Sequence, residues 1–250
     1  MDLGPQAFHL KLSYGQVGRY VLLTGDPGRC EQIASLFDEP VFAASNREFT
    51  VYNGKLSGVP VSVCSTGIGG PSAVIALEEL VQCGAHTFLR IGTCGGIAPK
   101  VQAGDLVLAT AAVRQEGTGL EYAPAIYPAA ADFTVLSAQV AAAKALGLPH
   151  HVGVIQSKDS FYGQHDPARM PVRSRLETYW EAWKKLGVLA SEMEAAALFV
   201  AGAALGVRVG AAMLALHNQE TDTQRQPRPV EPLLRFGVET LRTLIKEESL

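Results

Sequence analysis

Apolar runs of strand length alternate with segments of helical period along most of the chain. Residues 20–24, 87–91, 105–113, 152–157 and 207–216 are short, nearly continuous apolar runs, the pattern of strands buried on both faces. Residues 49–56 and 59–65 flank Ser57-Gly58 and read as a hairpin. Between these runs the periodicity predicts helices over about 29–37, 71–83, 133–146 and 195–205, with Pro71 at a first helical position and Gly147 past an end. Leu176, Tyr179, Trp180, Trp183 and Leu186 share one helical face, as do Leu234, Val238, Leu241 and Ile245; both stripes read as packing faces. Residues 161–172, rich in Pro, His and Gly, read as a loop. No repeat, low-complexity tract or linker divides the chain, so residues 1–250 read as one α/β domain with a mainly buried sheet.

Composition narrows the function classes. With 48% hydrophobic and 18% charged residues, the chain has the makings of a large core and none of a disordered tail. A net charge of −3 gives no bulk attraction to nucleic acid or an acidic membrane, and neither is an expected partner. Met1-Asp2-Leu3-Gly4-Pro5 shows no basic segment leading into an apolar run, so no signal peptide is read there. The apolar stretch 195–216 is broken by Arg208 and three glycines, and reads as a buried helix and strand. Cys30, Cys64, Cys83 and Cys94 form no C-x-x-C pair; reduced thiols in a cytoplasm are expected.

Candidate chemistry collects at glycine-rich strand ends, where open α/β sheets gather ligands. These are Gly25-Asp26-Pro27-Gly28-Arg29, Thr66-Gly67-Ile68-Gly69-Gly70-Pro71-Ser72, Arg90-Ile91-Gly92-Thr93-Cys94-Gly95-Gly96 and Lys158-Asp159-Ser160-Phe161-Tyr162-Gly163-Gln164. Glycines let backbone N–H groups approach an anion, and Arg29 and Arg90 add two-pronged donors suited to phosphate. The dinucleotide fingerprint, the Walker loop, the H-E-x-x-H zinc motif and the G-x-S-x-G elbow are all absent, and no His/Cys spacing fits a metal. Ser191-Glu192-Met193-Glu194 places two acids in an apolar surround. If extended, both acids share a side and can hold the hydroxyls of a sugar. If helical, they diverge and merely complement a helix N-terminus.

Together, Gly25-Asp26-Pro27-x-Arg29, Arg47-Glu48-Phe49, Ser65-Thr66-Gly67-Ile68-Gly69-Gly70-Pro71-Ser72, Arg90-Ile91-Gly92-Thr93, Phe161-Tyr162-Gly163-Gln164 and Glu192-Met193-Glu194 make the chain resemble the nucleoside phosphorylase family, from about residue 9 to 216. The resemblance implies a three-layer sandwich with a central mixed sheet flanked by helices. It implies a phosphate cradle of Gly25, Arg29, Arg90 and Thr93, with Arg47 supplied by a neighbouring subunit. His9 from the same neighbour, with Thr93, Glu192, Met193 and Glu194, would hold ribose; Gly95, Lys158, Phe161 and Gln164 would hold the base. Arg90, Gln164 and Glu194 are the expected catalytic groups. No cofactor is implied beyond phosphate as co-substrate, although Glu48, Ile68 and Ser72 match positions where some relatives bind potassium. A homo-oligomer follows, by resemblance a hexamer built from dimers.

Purine-acting relatives carry an aspartate at the end of the penultimate strand to protonate the leaving base. Here that strand ends Leu214-Ala215-Leu216-His217-Asn218. Gln164 suits uracil, whose carbonyl and N–H an amide pairs together, so the expected reaction is uridine plus phosphate giving uracil and ribose 1-phosphate. The alternatives are a purine nucleoside phosphorylase, a hydrolytic nucleosidase or a non-catalytic storage protein of the same fold. Pyrimidine-acting relatives carry an arginine two residues past the glutamine. This chain has Asp166 there, which leaves Lys158, or else Arg169, as the cation facing uracil. Asp159 allows Lys158 to be simply salt-bridged. Cys94, lacking a histidine partner, reads as a pocket wall rather than a nucleophile.

Overall fold

The computed structural model describes residues 6–221 and 229–248; Met1 to Pro5, where no signal peptide is read, lie outside the described residues. The first half of the chain forms β1 (Tyr20–Thr24), α1 (Gly28–Ala34), β2 (Asp38–Asn46), β3 (Phe49–Leu56), β4 (Val59–Ser65), α2 (Gly70–Gln82), β5 (Thr87–Gly96) and β6 (Leu106–Gln115). Then come β7 (Ala129–Ala130), α3 (Phe133–Ala145), β8 (His150–Lys158), α4 (Phe161–His165) and α5 (Arg173–Lys185). The chain continues through β9 (Ala190–Glu192), α6 (Ala195–Leu205), β10 (Arg208–Asn218) and α7 (Glu231–Glu248).

The strands form one mixed sheet in the order β10-β6-β8-β9-β5-β1-β4-β3-β2, with an additional β10–β5 pairing. That pairing closes β5, β10, β6, β8 and β9 into a ring, from which β1, β4, β3 and β2 extend as an open wing. Along β1, Val21 and Leu23 face one core cluster while Tyr20 and Leu22 face the other. This is why the run is apolar at every position rather than at alternate ones. Leu77 and Leu80 of α2 and Leu198 of α6 cover the first face; Ile33 of α1, Val135 of α3 and Phe236 and Leu241 of α7 cover the second. The three layers are those the resemblance implies.

Three expectations need correction. Residues 92–96, read as a loop, continue β5 because the strand changes partners. Arg90 is the last residue paired with β1, and Gly95 and Gly96 are flanked by β9 and β10 together. A Cβ on Gly95 would lie 2.6 Å from Gln219 Nε2, so a larger residue there would displace the Gln219 side chain. Residues 161–172 are not wholly loop. Ser160 Oγ accepts from Gly163 N and caps α4, and a 3₁₀ turn follows at Pro167–Arg169. The aromatic stripe of α5 is a packing face, but a partial one, with no residue of the helix buried. The indole N–H groups of Trp180 and Trp183 donate to Glu220 and Gln115. Strands β2 and β9 have no counterpart in the periodicity: β2 is a mostly exposed edge strand containing Pro40, and β9 has three residues.

Candidate active site

Between the last β1 partner of β5 and the first β9 partner, the sheet opens into a cleft of about 990 Å³. Its walls come from the turns after β1 and β4, the second half of β5, and the ends of β8, β9 and β10. Arg90 lies at its floor, almost wholly buried. Its Nε donates to Glu192 Oε2 at 3.2 Å and its Nη2 to Glu194 Oε2. Nη1 is buried without a partner among the described residues. Burial alone would lower the Arg90 pKa; the carboxylates of Glu194 and then Glu192 more than offset it and hold the group above its ordinary value. The two acids therefore share a side. Glu192 ends the extended β9 and Glu194 stands just before α6, so the extended alternative describes Glu192 and the helix-start alternative describes Glu194.

The two carboxylates differ in their partners. Glu192 accepts from Arg90, from Ser157 Oγ, and from the backbone N–H of Glu194 and Ala195 at 2.8–3.0 Å. Both its oxygens are engaged by the protein. Glu194 Oε1 accepts from Gly69 N at 2.6 Å, which ties the turn after β4 to the start of α6. Burial, ahead of the opposing pull of Arg90, raises the Glu194 pKa.

A second guanidinium reaches the same cleft. Arg29 lies 3.8 Å from Asp26, and its pKa is lowered, chiefly by burial; Asp26 opposes that shift and the charge of Arg90 adds to it. Two cations that raise each other's energy in a partly dehydrated cleft make a site that an anion between them would stabilise. Gly25, Thr93 and Met193 line the same space. So do Glu48, Ile68 and Ser72, with Ser72 Oγ donating to Glu48 Oε1 at 2.9 Å. Glu48 is held below the usual carboxylate range by its own backbone N–H first and by Ser72 next. Among the described residues, no group of three or more His, Cys, Asp or Glu side chains could hold a metal.

At the other end of the cleft, Gly95, Phe161, His165 and His217 form a wall, with the Phe161 and His165 rings 4.3 Å apart. Lys158 is buried beside them, and its Nζ donates to Ser191 Oγ at 2.6 Å. Asp159 is turned away and accepts from Gly117 N, so it does not neutralise Lys158. Arg169 does not line the cleft; it pairs with Asp166 at 3.2 Å and lies over the Tyr162 ring. Cys94 is a wall residue whose thiol is pushed up by burial, which leaves it in the unreactive protonated form. Asn218 Nδ2 donates to Ala98 O and Val101 O, so the residue after His217 serves the fold.

Gln164 is one residue removed from the cleft. It lines an adjoining cavity of about 370 Å³ under α5 and reaches the cleft wall through a bond from Ser191 Oγ. His9 and Arg47 lie outside the cleft. Glu79 pins His9: its carboxylate accepts from the backbone N–H of His9 and Leu10 and meets His9 Nδ1 at 2.7 Å. Arg47 occupies the exposed turn between β2 and β3 at a φ of 55°, and Asn46 Nδ2 donates to His9 O, so the two residues share one edge of the molecule. Sequence reasoning gave no role to Ser191, His165 or Gln219. The spacing of His165, four residues after Phe161, was a usable signal; Ser191 and Gln219 carried none.

The phosphorylase superfamily model matches residues 19–244, and the chain belongs to that superfamily. It is 48% identical over 246 residues to the uridine phosphorylase of Treponema pallidum (strain Nichols), covering 97% of this chain and 95% of that protein. The uridine phosphorylase of Escherichia coli (strain K12) is 46% identical over 216 residues, 81% of this chain and 82% of that protein. The guanosine phosphorylase of Halorubrum lacusprofundi is 41% identical over 203 residues, 81% of this chain and 80% of that protein.

Proposed function

We propose that the protein cleaves uridine with inorganic phosphate, releasing uracil and ribose 1-phosphate. The observation that carries this reading is the arginine pair. Arg90 has two nitrogens committed to carboxylates and a third, Nη1, buried without a partner among the described residues, and Arg29 shares its cleft. A dianion held between the two guanidiniums relieves their repulsion. Gly25 and Thr93 complete the phosphate site, with Arg47 of a neighbouring subunit. Met193 and Glu194 orient the ribose, with His9 from that neighbour; Glu192 acts behind them by holding Arg90. Phe161, Gln164, Lys158 and Gly95 take the base. Bond breaking puts positive charge on the sugar and negative charge on the base. Phosphate stabilises the first from one face and then attacks the anomeric carbon, while Lys158 stabilises the second. No covalent enzyme intermediate is needed, and the anomeric centre inverts.

A residue supply shared between subunits makes a homo-oligomer part of the proposal, in the form of a hexamer built from dimers, and Glu48 with Ser72 at that contact offers the oxygen donors a monovalent cation takes. The four buried free cysteines fit a reducing cytoplasm. No helix among the described residues is long and apolar enough to cross a membrane. Pyrimidine is preferred over purine because the end of β10 offers no carboxylate: His217 lines the cleft and the Asn218 amide is used in the fold. Uridine is expected to lose its glycosidic bond only when phosphate is present, as read by the absorbance change on base release, with inosine turned over far more slowly. Release of uracil at the same rate without phosphate would identify a hydrolase. Faster turnover of inosine would identify a purine enzyme, and no turnover of either would point to a binding protein.

The Lys158 assignment predicts a pH limb. Burial lowers this ammonium to about 8, against a smaller upward pull from Glu192 and Glu194. The charge is present below that value and lost above it. The kcat/KM for uridine is therefore expected to fall as pH rises through about 8. Lys158→Met lowers the neutral plateau by a factor on the order of 10² and flattens this limb. An alkaline limb that survives unchanged in the variant would assign the ionisation to another group.

A further inference from the structure

Gln164 is held on both sides. Its Oε1 accepts from Ser191 Oγ at 3.1 Å and its Nε2 donates to Gln219 Oε1 at 3.0 Å. Each of those partners is itself oriented. Lys158 Nζ donates to Ser191 Oγ, and an ammonium has no lone pair, so the serine oxygen accepts there and its one proton goes to Gln164. At the far end, Gln219 Nε2 donates to Gly95 O at 3.3 Å, which leaves Gln219 Oε1 facing Gln164. All four bonds run one way, from a group that can only donate to a backbone carbonyl that can only accept. Reversing the Gln164 amide would bring two acceptors together, either Gln164 Oε1 against Gln219 Oε1 or, if Gln219 also turned, Gln219 Oε1 against Gly95 O. The serine proton would also lose its acceptor. Such a contact in a half-buried site is costly enough to hold the amide in place.

We propose that Ser191 and Gln219 are positioning residues that hold the Gln164 side-chain amide in a single orientation and so make this residue selective for one polarity of base edge. The proposal rests on the reading of Gln164 as the group that meets the base. One lone pair on Oε1 and one N–H on Nε2 remain for the ligand, acceptor beside donor in a set order. A base edge with N–H next to C=O, as in uracil, satisfies both. An edge that offers an unprotonated ring nitrogen to Oε1 meets acceptor with acceptor. Lys158 thus acts twice: directly on the developing negative charge, and through Ser191 on the residue that reads the base.

The synthetic direction separates the two halves of the site, because uracil and ribose 1-phosphate enter as independent substrates. In the full-length enzyme, Ser191→Ala is expected to raise the KM for uracil about tenfold while the KM for ribose 1-phosphate stays within about twofold. Ser191→Thr, which keeps the hydroxyl, is expected to restore most of the loss. Gln219→Ala, at a partly exposed position, is expected to act in the same direction and carries the test if Ser191→Ala does not fold. In a Gln164→Ala background, either substitution should add less than about twofold, since its target is gone. The proposal is overturned if uracil and ribose 1-phosphate suffer alike, if neither KM moves, or if the serine effect persists in full without Gln164. A wild-type enzyme that makes no uridine from these substrates would instead remove the functional reading beneath it. A Gln164→Ala enzyme with normal uracil KM would remove the role of Gln164 itself.

Discussion

Replacing Arg90 with methionine is expected to lower kcat/KM for phosphate by about 10³ or more, because the substitution removes the guanidinium at the floor of the cleft. The same change should show in stability. Glu192 and Glu194 are buried side by side, and Arg90 is the cation hydrogen-bonded to both. Removing one member of a buried ion cluster costs about 3–5 kcal/mol, which in a chain of this size lowers Tm by about 6–20 °C. The deficit should depend on pH in a defined sense. Glu194 already has a raised carboxyl pKa, through burial, even with Arg90 present; without the cation it rises further. The folded state then binds a proton more readily than the unfolded chain. The cost is therefore present above the raised value and disappears as pH falls to the ordinary carboxylate value of 4.5. Thermal melts of the variant and wild type from neutral to acid pH check this. Two Tm curves that stay a constant distance apart would mean the carboxylates are not the source of the loss.

Glu194→Ala is expected to lower kcat/KM for uridine on the order of 10²–10³. Its carboxylate joins Arg90, the backbone N–H of Gly69 and the start of α6, so it positions the turn after β4 as well as the sugar. Glu194→Gln keeps an acceptor for Gly69 and should recover part of the loss in kcat, with KM for ribose 1-phosphate in the synthetic direction remaining raised. If the glutamine and alanine variants are equally impaired, charge rather than placement is what the reaction takes from this residue. If both retain near wild-type KM for ribose 1-phosphate, Glu194 does not touch the sugar.

Much of the architecture was legible because burial on both faces leaves a plain trace: an apolar run such as 20–24 has few alternatives to a central strand. What escaped was set by partners distant along the chain. The glycines of 92–96 look like a loop until the antiparallel β9 and the parallel β10 are both seen to pair with them. The two readings of Glu192 and Glu194 could not be separated locally, since the strand ends and the helix starts between them. Arg29, Arg90, Thr93, Met193 and Lys158 lay in motifs and do converge on the cleft. Ser191 and Gln219 were silent because a side chain that orients another leaves no spacing signature. His9 and Arg47 were named from resemblance, and in the isolated chain they lie together on an edge away from the cleft.

The uneven anchoring of the cleft bears on how such a protein can diverge. The arginine-bearing floor belongs to β5 and to the β9–α6 junction, where nearly every side chain is enclosed, so a change there disturbs the interior as well as the cleft. The segment at the other end of the cleft is attached differently. In α4 only Gly163 is enclosed, and α5 has no enclosed residue at all. Substitutions, or even changes of length, between Phe161 and Lys185 can therefore accumulate with little cost to folding. On the proposed reading, the choice of heterocycle in this chain can therefore drift at less cost to folding than the handling of the inorganic ion.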